Sequence, residues 1–185
     1  MAPNADFRLH RLVSPSFLTL DDDTEQELRN ADSLPNPQAY PDAYRATLAL
    51  SVAVGKTGPE PQLIDVVNYR VSQLSCCAFC LDMHSKDCQA RGETEQRRYK
   101  ISAWREAPHL YSDRERAALV WAEAVTRLEH QQVTDAVHAT AREEFSEAEL
   151  TQLTLALVAI NGWSRFNVAF HAPAGNYRPP AAKSA

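Results

Sequence analysis

The chain has 185 residues, 44% hydrophobic and 23% charged, which is the composition of one globular domain with a real core and excludes a disordered chain. Its five glycines argue against turn-rich all-β designs and Gly-rich phosphate loops. A net charge of −5 and the lack of a long basic stripe make nucleic acid and anionic membranes poor partners.

The first residues, MAPNADFRLHRLVSPSF, contain no apolar signal-peptide core. No stretch approaches the ~18 apolar residues of a membrane span. The longest apolar run, Leu153 to Ile160, is interrupted by Thr154. The expected location is the cytoplasm, where clustered thiols are more often catalytic, redox-active or metal-binding than structural.

Residues 1–36 read as an irregular N-terminal arm, with the acidic run Asp21-Asp22-Asp23 and a short helix at Thr24–Asn30. The main domain is expected over 37–171. Its first helix, from Pro41 to Val54, should stop at Gly55. Ile64, Val67, Val71 and Leu74 form an amphipathic stripe on the next helix, whose first turn Pro61 suits. A third helix spans Cys77–Arg91 and ends at Gly92. Ser112 to Glu115 is a capping box that opens a helix carrying Ala117, Leu119, Val120, Trp121 and Val125. Thr134 caps a short helix running through Glu144. Ser146 to Glu149 is a second capping box, opening the most apolar helix, Leu150 to about Phe170. That helix should be central to its own fold or buried between subunits. The tail, 172–185, has little to bury and should be loose unless a neighbouring subunit holds it. No segment alternates with period two between hairpin turns, so the fold class is all-α.

The four cysteines all lie in one stretch, at Cys76, Cys77, Cys80 and Cys88. Cys77 and Cys80 form C-x-x-C. Residues three apart share a helix face, so two such thiols can close a disulfide if the first sits at the helix mouth. The partial positive charge of a helix N-terminus favours the thiolate there. His84 lies one turn beyond Cys80 on the same stripe, where it can shuttle a proton or polarise the thiol. The competing structural reading is a pair of small buried hydrophobes and a satisfied histidine. A zinc site built from Cys77, Cys80, His84 and Cys88 fails on geometry, because its end ligands stand roughly 16 Å apart along one helix. Cys76 points about 100° away from Cys77 on a helical wheel and reads as packing or a stray thiol. Cys88 is two turns past Cys80 and reads as buried packing. His109, His130, His138 and His171 read as surface or capping residues. Trp104, Trp121 and Trp163 read as core.

Arg70–Gln73 (R-V-S-Q), Cys77–His84 (C-A-F-C-L-D-M-H), Gly92–Gln96 (G-E-T-E-Q), Ala103–Pro108 (A-W-R-E-A-P), Glu115–Thr126 and Ile160–Phe170 together resemble the carboxymuconolactone decarboxylase / alkylhydroperoxidase AhpD-like family. The resemblance runs from about Leu48 to Phe170. It implies an all-helical bundle that assembles into homotrimers or homohexamers, and thiol peroxidase activity without haem, flavin or metal, hence no cofactor. By that resemblance Cys80 is the peroxidatic thiol, Cys77 its disulfide partner, and His84 a member of the proton relay. The substrate is a hydroperoxide, and an external dithiol protein resets the enzyme through the more exposed sulfur, expected at Cys77. The relay's acidic member, twelve positions before the first active-site cysteine, falls on Asp65, where the family usually carries Glu. The sequence also departs from the pattern at Cys76, where Gly is common, and at Phe79, where the hydroperoxidase has a histidine. Members with lactone decarboxylase chemistry do not need the C-x-x-C, so the intact motif counts against that activity. A non-enzymatic redox sensor or oligomeric scaffold is the remaining alternative.

Overall fold

The structure, a computed structural model, describes residues 41–128 and 133–180. The expectations for the arm over 1–36, with its short helix at Thr24–Asn30, and for His130 lie outside the described residues. Within them the regular structure is helical, without strands: α1 (Pro41–Thr57), α2 (Pro61–Leu74), α3 (Ala78–Ala90), α4 (Glu95–Lys100), α5 (Asp113–Arg127), α6 (Asp135–Glu144) and α7 (Glu147–Ala169). Two 3₁₀ segments, Ile101–Glu106 and Pro108–Leu110, connect α4 to α5.

The helix ends follow local chemistry. Ser112 and Ser146 each accept a hydrogen bond from the N3 backbone, and Glu115 and Glu149 reach back to the cap residue, so both expected capping boxes are closed. Each such cap contributes about 1 kcal/mol. Thr134 caps α6 by accepting from the Val137 N–H. At the end of α3 the chain turns through Gly92 at φ +88°, and the Glu93 N–H returns to the Cys88 carbonyl at 2.9 Å.

One expected helix end is displaced. α1 does not stop at Gly55 but continues to Thr57, and the stop is Gly58. The Gly58 N–H donates to the Val54 carbonyl at 2.9 Å, and a Cβ at Gly58 would meet that oxygen at 2.6 Å. Nothing lies within 4 Å of a Cβ at Gly55, so that glycine has no steric duty. Pro59 follows Gly58 and disfavours further helix.

α2 lies at the centre. Leu63, Val67 and Val71 pack with Ala117, Ala118, Trp121 and Ala122 of α5, with Phe145, and with Leu150, Leu153, Leu157 and Ile160 of α7. A fully buried leucine such as Leu153 or Leu157 contributes ~1.5–3 kcal/mol of transfer free energy. Val66, Ile101, Trp104, Tyr111 and Leu119 form a second cluster on the other side of α2 and α5. Trp104 and Trp121 are core residues as expected, whereas Trp163 is half-buried beneath α1, with its indole N–H on Ser51 Oγ at 2.8 Å. α7 buries one face only: Leu155 (43%) and Val158 (52%) are exposed in the single chain. Among the described residues no helix is long and apolar enough to cross a membrane.

The tail differs from expectation. Its residues through Pro180 are described, and α3 of the same chain holds them. The Gly175 N–H donates to Asp82 at 3.1 Å, Lys86 Nζ donates to the Gly175 and Tyr177 carbonyls at 3.1 Å each, and the Tyr177 hydroxyl donates to Asp87 at 2.7 Å. These polar contacts replace the apolar burial that the tail's composition cannot supply.

Candidate active site

The segment between α2 and α3 turns sharply. Ser75 closes α2 with its N–H on the Val71 carbonyl, and Cys76 adopts φ +51°. This left-handed position is one that glycine adopts without strain, which gives physical sense to the glycine common there in the resembling sequences. Cys76 is not on the helix at all, so the wheel placement fails for it. Its thiol is exposed, close to the Gln73 carbonyl.

The turn delivers Cys77 to the N-cap of α3. Its sulfur accepts the Cys80 N–H at 3.2 Å, as an N-cap oxygen would, and the helix proper begins at Ala78. The Cys77 and Cys80 sulfurs are 2.34 Å apart, joined as a disulfide, with their Cα atoms separated by 5.2 Å. The first cysteine thus stands at the helix mouth. Cys80, His84 and Cys88, spaced four apart, form the buried face of α3.

Two residues that the sequence reading did not single out complete the surroundings of Cys80. From α7, Asn167 Nδ2 stands 3.5 Å and Ser164 Oγ 3.6 Å from Cys80 Sγ. Both side chains are buried. Donors directed at sulfur favour a thiolate over a thiol. The signal that could have found them is a pair of small polar residues three apart, and so on one helix face, within Ile160–Phe170; burial separates them from Asn161 and Arg165 in the same segment.

His84 is buried, and among the described residues neither ring nitrogen has a hydrogen-bond partner. Its Nδ1 is 3.6 Å from Asp87 Oδ2. Asp65 comes from α2 and is buried. Its closest charged contact is Arg91, whose Nε is 2.5 Å from Oδ2. The approach is off the ideal hydrogen-bonding direction, so among the described residues that oxygen has no well-aligned hydrogen bond and Arg91 acts on it mainly by charge. Burial pushes the Asp65 carboxyl up to about 6; Arg91 and the nearby His84 pull it down, and Asp87 pushes it up further. Asp65 and His84 therefore share one electrostatic neighbourhood without a direct hydrogen bond between them. Cys88 lies in the same neighbourhood. Burial, then the charges of Asp65, Glu93 and Asp87, push its thiol up to about 12, which makes it inert at neutral pH.

The expectation that one sulfur is the more exposed is not met. Cys77 is 1% and Cys80 0% exposed, with Ser164 and Asn167 of α7 against Cys80. A groove of about 480 Å³ between α5, α6 and α7, lined by Trp121, His138, Arg142 and Leu150, includes none of the four predicted site residues. Among the described residues no three His, Cys, Asp or Glu side chains gather to hold a metal ion.

Behind the thiol segment, a buried carboxylate ties α2 to α5. Glu123 accepts from Arg70 Nε at 2.7 Å, from the Trp104 indole N–H at 3.0 Å and from Arg105 at 2.5 Å. Burial alone would raise its carboxyl; the hydrogen bonds from Arg105, Trp104 and Arg70 outweigh that and hold it below the usual range. Arg70 also reaches Gln73 at 3.0 Å, so the network braces the end of α2 from which the cysteine turn departs.

The sequence model of the carboxymuconolactone decarboxylase family matches residues 41–124. The uncharacterized protein YdfG of Bacillus subtilis (strain 168) is 40% identical over 105 residues, 57% of this chain and 71% of that protein. The uncharacterized protein YnjA of Escherichia coli (strain K12) is 33% identical over 126 residues, 68% of each chain. Among solved structures, ATU0492 from Agrobacterium tumefaciens is 36% identical with a TM-score of 0.73, covering 78% of this chain and 99% of that chain. It is described as a protein of unknown function, with a candidate assignment as antioxidant defence protein AhpD.

Proposed function

This chain belongs to the carboxymuconolactone decarboxylase family and has the all-helical AhpD-like fold, and from that premise we propose that it reduces hydroperoxides through a Cys77–Cys80 dithiol–disulfide cycle. The observation that carries this reading is the placement of Cys77 at the N-cap of α3 with Cys80 one turn on, and the Asn167 and Ser164 donors on Cys80.

In the proposed cycle the Cys80 proton passes to His84, with Asp65 supporting the charge. The Cys80 thiolate attacks the distal oxygen of the hydroperoxide. The O–O bond breaks, the alcohol leaves with the proton returned through His84, and Cys80 becomes a sulfenic acid. The Cys77 sulfur then attacks Cys80, the S–O bond breaks, water leaves and the disulfide forms. One hydroperoxide and two thiols give one alcohol, one water and one disulfide. An external dithiol protein restores the thiols by two exchange steps, the first through a mixed disulfide. Because both sulfurs are buried in the single chain, that exchange requires the Cys76 turn or α7 to move. We place this chemistry in the cytoplasm, in a homotrimer or homohexamer that covers exposed apolar residues of α7 such as Leu155 and Val158.

Peroxide consumption with dithiothreitol, or with a lipoyl or thioredoxin-type reductant, tests the reading. Activity is expected to disappear in Cys80→Ser, and in Cys77→Ser the sulfenic acid should persist without disulfide. Wild-type turnover in Cys80→Ser overturns the mechanism. The burial of both sulfurs favours a second reading, a redox sensor or scaffold without turnover. A scaffold pair resists peroxide and reductant alike, whereas a sensor pair is oxidised without catalytic turnover.

A further inference from the structure

We infer that Tyr177, on the C-terminal segment, is a positioning residue that sets the tautomer of His84 through Asp87; the inference rests on the thiol-peroxidase reading above.

Two linked contacts carry it, and three more hold the segment in place. The Tyr177 hydroxyl donates to Asp87 Oδ1 at 2.7 Å. The other oxygen of that carboxylate, Oδ2, faces His84 Nδ1 at 3.6 Å. Lys86 and Asp82 pin the segment that presents Tyr177, through the Gly175 and Tyr177 carbonyls and the Gly175 N–H. The residues run in order along α3: Asp82 and Lys86 grip the segment, Asp87 receives the phenol, and His84 lies within the same two turns.

A neutral imidazole carries its proton on one nitrogen, and the partner of the other edge decides which. His84 is buried, and among the described residues neither nitrogen is hydrogen-bonded, so the facing carboxylate is the group placed to bias the choice. Asp65 is the other carboxylate whose charge reaches His84, but its Oδ2 is turned to Arg91. Asp87, anchored by Tyr177 on one oxygen, keeps the other directed at Nδ1. That arrangement places the proton on Nδ1 and leaves the Nε2 lone pair as the proton acceptor. Without the phenol the Asp87 side chain is free to rotate away, because Asp87 is only partly buried. At 3.6 Å the two atoms are in ion-pair range, and a small side-chain movement of Asp87 brings Oδ2 to hydrogen-bond distance of Nδ1.

The test is the ring ¹⁵N–¹H correlation of His84 in isotopically labelled full-length protein, at a pH where the ring is neutral. The wild type is expected to hold mainly the Nδ1–H form. Tyr177→Phe should lower the ratio of Nδ1–H to Nε2–H by roughly tenfold, the equilibrium equivalent of one hydrogen bond to a charged group. Asp87→Asn should change it at least as far. Lys86→Ala, which loosens the segment with Tyr177 intact, should move it in the same direction and keeps the question open to measurement if Tyr177→Phe fails to fold. An unchanged ratio in Tyr177→Phe, or a wild type dominated by the Nε2–H form, overturns the inference. The readout needs no turnover. A tautomer shift in a protein that consumes no peroxide supports the positioning role and sinks the peroxidase reading alone.

Discussion

Asn167 Nδ2 stands 3.5 Å from Cys80 Sγ, though the two residues are 87 positions apart in the chain. With Ser164 at 3.6 Å it makes Cys80, rather than Cys77, the sulfur that receives donors from a second helix. This asymmetry distinguishes the two cysteines chemically and supports the peroxidatic role proposed for Cys80. Replacing Asn167 or Ser164 by Ala is expected to cut the thiolate fraction of reduced Cys80 at neutral pH by about tenfold, the scale of one hydrogen bond to a charged group. Alkylation rates of Cys80 across pH, in a Cys77→Ser background, check this. Unaltered rates in both variants mean that the donors do not act on the sulfur.

Asp65 makes stability depend on pH with a sign opposite to that of an ordinary surface carboxylate. Its folded-state value, raised by burial to about 6, lies above the unfolded value near 3.8. The folded state therefore binds the proton more tightly. Its stabilising contribution is fully present below the unfolded value and is lost as pH rises through about 6. Relative to Asp65→Asn, the wild type should lose stability between about pH 4 and about pH 7. Urea unfolding of both proteins across that window gives the answer, and a flat difference curve contradicts it. Arg91→Ala, which removes the opposing charge, should move the midpoint still higher.

The two free cysteines should react very differently. Cys76 is exposed at the turn, whereas Cys88 is buried with its thiol pushed up to about 12. With the Cys77–Cys80 disulfide intact, a maleimide should label the native chain once, at Cys76, and Cys76→Ser should abolish the label. Rapid labelling of Cys88 without denaturant would show that α3 opens far more readily than its packing allows. Mass spectrometry of the labelled protein reads both outcomes.

Glu123 is a structural carboxylate. Removing it by Glu123→Ala leaves Arg70 buried without its partner and should destabilise the fold by about 3 kcal/mol, the scale of a broken buried ion pair. Its depressed carboxyl gives stability that is present above the unfolded value and is lost as pH falls through the folded one, so acid should weaken the wild type more than Glu123→Gln. Chemical denaturation at neutral and mildly acidic pH measures both effects. A loss below ~0.5 kcal/mol, ordinary for a surface change, would remove Glu123 from the bracing network.

The linear order of residues determined whatever rests on contacts within a turn or two of helix. The capping boxes at Ser112 and Ser146, the cap at Thr134, the stop at Gly92 and the shared face of Cys80, His84 and Cys88 all arise from neighbours within five positions. Those signals were enough for an all-helical chain with a dithiol and a histidine on one helix. Tertiary structure decided the rest, because contacts between distant segments follow from packing and leave no local signal. It turned Asp65 toward Arg91, brought Ser164 and Asn167 to the Cys80 sulfur, and buried the sulfurs of Cys77 and Cys80. It also laid the polar tail along α3, where Tyr177 meets Asp87 across 90 positions of sequence.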